Sequence, residues 1–277
     1  YQVGARLAGG FLPLLLHRRA KAGREDPARI GERKASNMAP RPAGNLVWVH
    51  AASVGETRSV LPLLADFMAA QPDTHILMTT GTRTSATLVG QLTRAGFPHI
   101  DRLTHQYLPL DRARWVKRFF DHWSPQLALF VESELWPNLL LEMRRRNIPA
   151  VLVNGRLSEK SFKFWRRAKN SARALFGCFD RLLAQDDITA QRWQELGLQD
   201  IMSAGNLKLD APPLEADASA LAQMQAALQN RPVWVAASTH PGEEAMIGAC
   251  HEALRAMHPD LLCILVPRHP ERGPEIA

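Results

Sequence analysis

The chain is poor in the residues and patterns that most often announce a function. It has three cysteines, Cys178, Cys250 and Cys263, widely spaced and with no CxxC pair. That excludes a disulfide framework and a zinc knuckle and suits a reducing compartment. There is no GxSxG elbow, no HExxH and no clustered Asp pair at metal-ligand spacing, and His240, His251, His258 and His269 are scattered, so no metal is expected. No Walker loop and no GxGxxG fingerprint is present. No internal repeat or low-complexity tract appears, and no recognition motif for nucleic acid accompanies the basic residues.

What the chain does have is an ordinary globular composition over 277 residues, 46% hydrophobic and 22% charged, enough for two modest domains. Its net charge of +7 points to an anionic partner, a membrane face or a phosphorylated substrate rather than nucleic acid. The positive charge is clumped: Arg18, Arg19, Lys21 and Arg24; Arg144 to Arg146; and Lys163, Arg166, Arg167, Lys169 and Arg173. Leu7, Phe11, Leu12, Leu14, Leu15 and Leu16 form an apolar patch interrupted by Gly9, Gly10 and Pro13. The patch is shorter than the about 20 residues that span a bilayer, and no small-residue cleavage site follows it. It reads either as a membrane-associated segment over residues 1–28, with the body on the cytoplasmic side, or as a buried amphipathic helix.

Nearly continuous apolar runs at Asn45–His50, His75–Thr79, Leu127–Val131, Ala150–Val153 and Arg181–Ala184 predict buried parallel strands. Helical patterns alternate with them, as at Ser59–Ala70, Trp136–Arg146 and Ala190–Leu196, which predicts a doubly wound α/β domain over 29–209. A Pro- and acid-rich stretch from Asp210 to Ser219 opens a linker region placed at 210–230. A helix at Ala218–Gln229 precedes a second βα start over 231–277, with strands at Pro232–Ala237 and Leu261–Val266 around a helix at Gly242–Met257. That second domain is read as incomplete.

Ligands of such sheets bind outside the carboxyl ends of the strands, and there the sequence turns polar. His50-Ala-Ala-Ser-Val-Gly-Glu-Thr57 puts Glu56 at or near a helix start, placed to accept a proton or simply to favour the helix dipole. Val131-Glu-Ser-Glu-Leu-Trp-Pro-Asn138 puts Glu132 at a strand end and makes Ser133 or Glu134 a possible cap for a helix opened by Pro137. Lys208, in Ala204–Asp210, is either a cation for a phosphate or carboxylate or an ordinary surface lysine. In the second domain Arg268, after Pro267, could grip a phosphate bidentately, and Ser238 and Thr239 sit before a helix start suited to an anion.

Six ordered segments, HAASVGET, VESELWPN, VNGRLS, GNLKLD, ASTHPGEE and ILVPRHPER, closely resemble those of the 3-deoxy-D-manno-oct-2-ulosonic acid (Kdo) transferases. Arg29–Ala35 also resembles the family's GERxG segment, with Ala35 where glycine is expected, and HAASVGET departs from the commoner HSVSVGE. The resemblance implies two Rossmann-like domains of the GT-B glycosyltransferase architecture, the second truncated. It implies an inverting enzyme at the cytoplasmic face of the inner membrane, with no cofactor or metal, using CMP-Kdo as donor and a lipid A precursor as acceptor. By motif position Glu56 matches the general base, Glu132 and Lys208 match transition-state stabilisers, and Pro267 and Arg268 match part of the CMP site. Two other readings stay open: a membrane-surface binding module without turnover, and a related UDP-sugar enzyme such as an epimerase or lipid A disaccharide synthase.

Overall fold

The computed structural model describes residues 12–92, 94–132, 135–210 and 216–276. The chain divides into two compact units, residues 1–212 and 213–277.

The first unit is built on seven parallel strands: β1 (Asn45–His50), β2 (Thr74–Thr80), β3 (Leu103–Tyr107), β4 (Leu127–Val131), β5 (Ala150–Gly155), β6 (Arg181–Ala184) and β7 (Ile201–Ser203). Their spatial order is β3-β2-β1-β4-β5-β6-β7, so the order reverses between β1 and β4. The crevice at the carboxyl ends of these two strands is where a doubly wound sheet binds its ligands.

Both faces of the sheet are buried, which is why the central strands read as unbroken apolar runs. Leu46 and Trp48 point into one core with helices α5 (Ala113–Trp123) and α6 (Pro137–Arg145). Val47, Val49 and Ala51 point into the other with α3 (Val54–Ala70) and α4 (Arg83–Gln91). Trp48 is fully buried among Phe119, Phe120 and Phe130, with ring centroids 4.9–5.6 Å away in edge or tilted arrangements. Its indole N–H donates to Thr79 Oγ1 at 2.9 Å, so no polar atom of the ring is stranded. On the far side of β4, helices α7 (Glu159–Arg167), α8 (Lys169–Phe176) and α9 (Asp187–Glu195) close the layer. Gly155 ends β5 because a Cβ there would collide with the indole of Trp193.

The N-terminal segment is fastened to this sheet by an arginine. After α1 (Leu12–Lys21), Arg33 at the end of α2 (Ile30–Arg33) donates to Glu25 at 2.9 Å, to Leu108 O at 3.0 Å and to Gly81 O at 2.6 Å. It also lies 4.6 Å from the Tyr107 ring centroid. Glu25 and Arg33 are both buried. Of the apolar patch, Leu7 and Phe11 lie outside the described residues; Leu16 is buried, while Leu14 and Leu15 on the same helix are exposed. Among the described residues no helix is long and apolar enough to cross a membrane.

The second unit has α10 (Ala218–Leu228), two parallel strands β8 (Val233–Thr239) and β9 (Leu262–Pro267), α11 (Glu243–Arg255) and the short α12 (Gly273–Ile276).

Candidate active site

Glu56 lies in the first turn of α3, immediately beyond β1. Ser53 is the N-cap, its hydroxyl accepting from the Glu56 N–H at 3.3 Å, and the carboxylate reaches back. Oε1 accepts from Ser53 Oγ and Oε2 from Ala52 N–H, both at 2.7 Å. This is capping-box chemistry, and it holds the carboxylate in one place at the end of β1. The residue is 8% exposed, and each oxygen keeps a lone pair beyond the one used in the cap. The two sequence readings of Glu56 are therefore compatible: one carboxylate can cap the helix and still accept from a hydroxyl.

Glu132 follows β4 directly, on the other side of the crevice, with its N–H donating to Val153 O at 2.9 Å. Its φ is +61°, a left-handed conformation that side chains other than glycine and asparagine seldom take. A non-glycine residue held there costs about 1–2 kcal/mol, and such strain clusters at functional sites. Asn154, at the end of the neighbouring β5, is left-handed as well at φ +52°.

Lys208 sits in a 3-10 turn at Leu207–Leu209. Its ammonium donates to Glu132 Oε1 at 2.7 Å, with the lysine side chain 49% exposed and the glutamate 20%. The turn is fixed from below: the Leu207 N–H donates to Oδ1 of buried Asn154 at 3.1 Å, and Asn206 accepts from the Lys208 N–H at 3.1 Å. The same turn packs against α3, the helix that carries Glu56. Three residues 76 positions apart or more at the extremes, Glu56, Glu132 and Lys208, thus belong to segments that meet at the switch point. Asn154 is the residue sequence reasoning passed over. It stands inside VNGRLS, but nothing in that segment reveals that its amide positions a lysine turn 53 residues later.

Beside these residues a cavity of about 390 Å³ opens at the strand ends, lined among others by Leu12, Arg19, Arg33, His50, Ala52 and Trp136. His50, fully buried at the end of β1, is oriented by Thr79, whose backbone oxygen lies 3.1 Å from Nδ1. The cap expected for α6 is Ser133 or Glu134. Those two residues lie outside the described ones, α6 begins at Pro137, and its N-cap is Trp136, which makes no side-chain capping bond. Asp111 caps the helix from another loop, accepting from Asn138 N–H at 3.0 Å and from Leu139 N–H at 2.9 Å.

In the second unit, Ser238, Thr239, Pro267 and Arg268 meet at the carboxyl ends of β8 and β9. Thr239 pairs with Pro267 across a register shift, and Arg268 N–H donates to Thr239 O at 3.0 Å. Ser238 is left-handed at φ +61°. Arg268 is exposed, whereas Arg272 clamps Glu244 at 2.7 and 3.2 Å and holds that carboxyl down at about 2. Among the described residues no group of three or more His, Cys, Asp or Glu side chains is placed to hold a metal ion.

The profile of a family described as "3-Deoxy-D-manno-octulosonic-acid transferase (kdotransferase)" matches residues 27–211, most of the chain. The chain belongs to the Kdo transferase family. Glu56, Glu132 and Lys208 all fall within the matched segment; Pro267, Arg268, Ser238 and Thr239 lie beyond it. The 3-deoxy-D-manno-octulosonic acid transferase of Haemophilus influenzae is 38% identical over 239 residues, covering 84% of this chain and 53% of that protein. That of Rickettsia felis is 37% identical over 230 residues, covering 83% and 48%. A probable mitochondrial Kdo transferase of Arabidopsis thaliana is 33% identical, covering the whole of this chain and 63% of its own length. The chain thus spans about half the length of the bacterial relatives it matches.

Solved structures agree on the fold. A UDP-GlcNAc 2-epimerase from Neisseria meningitidis superposes with TM-score 0.58 at 12% identity, covering 84% of this chain and 68% of that one. A glycosyltransferase from Rickettsia africae gives TM-score 0.51 at 14% identity, covering 85% and 64%. The fold class read from the sequence, Rossmann-like α/β of the GT-B type, holds.

Proposed function

We propose that this Kdo transferase family member carries the acceptor side of an inverting glycosyl transfer from CMP-Kdo to a lipid A precursor. The observation that carries the reading is the Glu132–Lys208 pair at the switch point, on a turn packed against the helix of Glu56. In the reaction, Glu56 accepts the proton of the attacking acceptor hydroxyl. The hydroxyl oxygen bonds to the anomeric carbon as the bond to CMP breaks on the opposite face, and CMP leaves with the electron pair. As that bond lengthens the sugar gains oxocarbenium character, which the charge of Glu132 favours. Lys208 holds Glu132 in its strained conformation and offers a cation to the Kdo carboxylate or the leaving phosphate.

Pro267 and Arg268 are assigned to CMP, with Ser238 and Thr239 beside them at the ends of β8 and β9. No metal is assigned a role, because the carboxylate and the cations supply the charge that the transition state needs. Exposed Leu14 and Leu15 beside Arg18, Arg19 and Lys21 suit an anionic bilayer surface, at the cytoplasmic face of the inner membrane.

The test is Kdo transfer by the full-length protein, together with competition between CMP and UDP. Transfer with CMP preferred over UDP is the expected result. A preference for UDP returns the chain to the UDP-sugar enzymes, and CMP binding without transfer by a folded protein leaves a binding module.

A further inference from the structure

We infer that an apolar groove between the start of α6 and helices α7 and α8 is a subsite for one acyl chain of the lipid acceptor. The inference rests on the acceptor reading given above and adds where the acceptor's apolar part goes. The groove encloses about 490 Å³, lined by Leu135, Trp136, Leu141, Trp165, Ala174 and Leu175 among others, with Ser171 at its edge. That volume lies within the range of about 300–1,000 Å³ found for small-molecule sites. The protein leaves four large apolar side chains, Trp136, Leu141, Trp165 and Leu175, only partly covered around it. Surface this apolar and this concave marks a place where something apolar docks.

Two observations select the occupant. First, Trp136 lines both this groove and the cavity at the strand ends. A ligand with its sugar at the switch point can therefore pass over one indole and lay its chain in the groove. Second, the two helices that form the outer wall carry the basic cluster. Lys163, Arg166 and Arg167 on α7 and Lys169 and Arg173 on α8 are all exposed, and Phe164 beside them is 61% exposed. Arg173 donates to Leu196 O at 3.0 Å and Lys163 pairs with Glu159 at 3.3 Å, so the frame is the exposed Arg166, Arg167 and Lys169 where α7 meets α8, next to Trp165 in sequence. An apolar slot with such cations beyond its rim is complementary to an acyl chain attached to a phosphorylated head. A neutral apolar peptide would gain nothing from that frame.

The experiment measures binding to the full-length protein without donor, comparing a lipid A precursor with the same molecule stripped of its acyl chains. The parent should prefer the acylated form by about tenfold or more, the worth of roughly two methylenes removed from water. Ala174→Trp, which fills the groove from an exposed helix position, should cut that preference below about threefold and leave the affinity for the stripped form unchanged. Ser171→Glu, at the edge, should act in the same direction if the tryptophan disturbs folding. A preference that survives both substitutions in folded protein overturns the groove, even where transfer from CMP-Kdo proceeds and the proposed function stands. Equal loss of binding to acceptor-free phosphatidylglycerol vesicles also overturns it and makes the groove a general bilayer contact. If the parent binds neither form of the precursor, the acceptor reading itself fails and the subsite falls with it.

Discussion

Replacing Arg33 by methionine should destabilise the first unit by about 3–5 kcal/mol, the cost of breaking a buried ion pair from one side. The size follows from what the side chain does. Its hydrogen bonds reach Glu25, Leu108 O and Gly81 O, and its guanidinium packs on Tyr107. The pair is 5% and 2% exposed, so solvent cannot replace the lost partner. Among the described residues Glu25 would keep only Arg19, which is 42% exposed and holds the other carboxylate oxygen at 2.9 Å. Arg33→Lys should fall between, at about 1–3 kcal/mol, since an ammonium's donors all leave one nitrogen and cannot reproduce the planar spread of Nε, Nη1 and Nη2 over these three acceptors. Arg33→Met with Glu25→Leu should recover more than half of the loss, because no charge is then left buried alone. Urea unfolding followed by tryptophan fluorescence reads this directly, as six of the seven tryptophans lie in the first unit. A loss under about 1 kcal/mol for Arg33→Met, or a double variant no better than the single one, would refute the reasoning.

Other consequences are open to measurement. Lys208→Met should change stability by less than about 1 kcal/mol, the pair being half-exposed, yet slow Kdo transfer by about 10²-fold or more; a large loss of stability with kcat intact would reverse that assignment. Asp111→Ala should cost about 1–2 kcal/mol in urea unfolding, because two N-terminal amides of α6 lose their acceptor and the helix loses its compensating charge. His105 is held down at about 3 by burial first and by Arg29 and Arg33 next. It is therefore neutral in the folded chain and charges on unfolding below its ordinary value of about 6.5. Its contribution is full above that value and is lost as pH falls towards 3, at up to about 1.4 kcal/mol per pH unit. His105→Gln should flatten the acid limb of stability between pH 6 and 4, and an unchanged slope would contradict the assignment.

The central strands were legible because burial on both faces leaves no choice but apolar residues, and β1, β4 and β6 fall where the runs predict them. Edge strands carry no such constraint. β3 reads Leu-Thr-His-Gln-Tyr, and its polar groups draw some of their partners from outside the sheet: Arg29 lies 3.0 Å from His105 Nδ1, and Gln106 Oε1 accepts from Trp123. β7 is only three residues long. Glu56 and Glu132 could be singled out as candidates because a carboxylate after an apolar strand is a local pattern. The partners of Glu56 are local, but that of Glu132 is not, and neither are those that fix the neighbouring segments: Lys208 is 76 residues from Glu132, Asn154 is 53 from Leu207, and Asp111 caps a helix 27 residues on. Periodicity cannot report such distances. Ala35 shows the converse. Its φ of +46° is a conformation that glycine takes without strain, which accounts for the glycine expected at that place but not for the alanine that stands there.

The most direct measurement is Kdo transfer from CMP-Kdo to a lipid A precursor by the full-length protein with Glu56 intact or replaced by glutamine. Glutamine keeps the reach back to Ala52 N–H and can donate to Ser53, so the helix start should survive the change. The account predicts an active parent and a Glu56→Gln variant that folds and binds CMP but transfers at least about 10²-fold more slowly. A variant as fast as the parent would leave Glu56 as a helix cap alone and contradict the account.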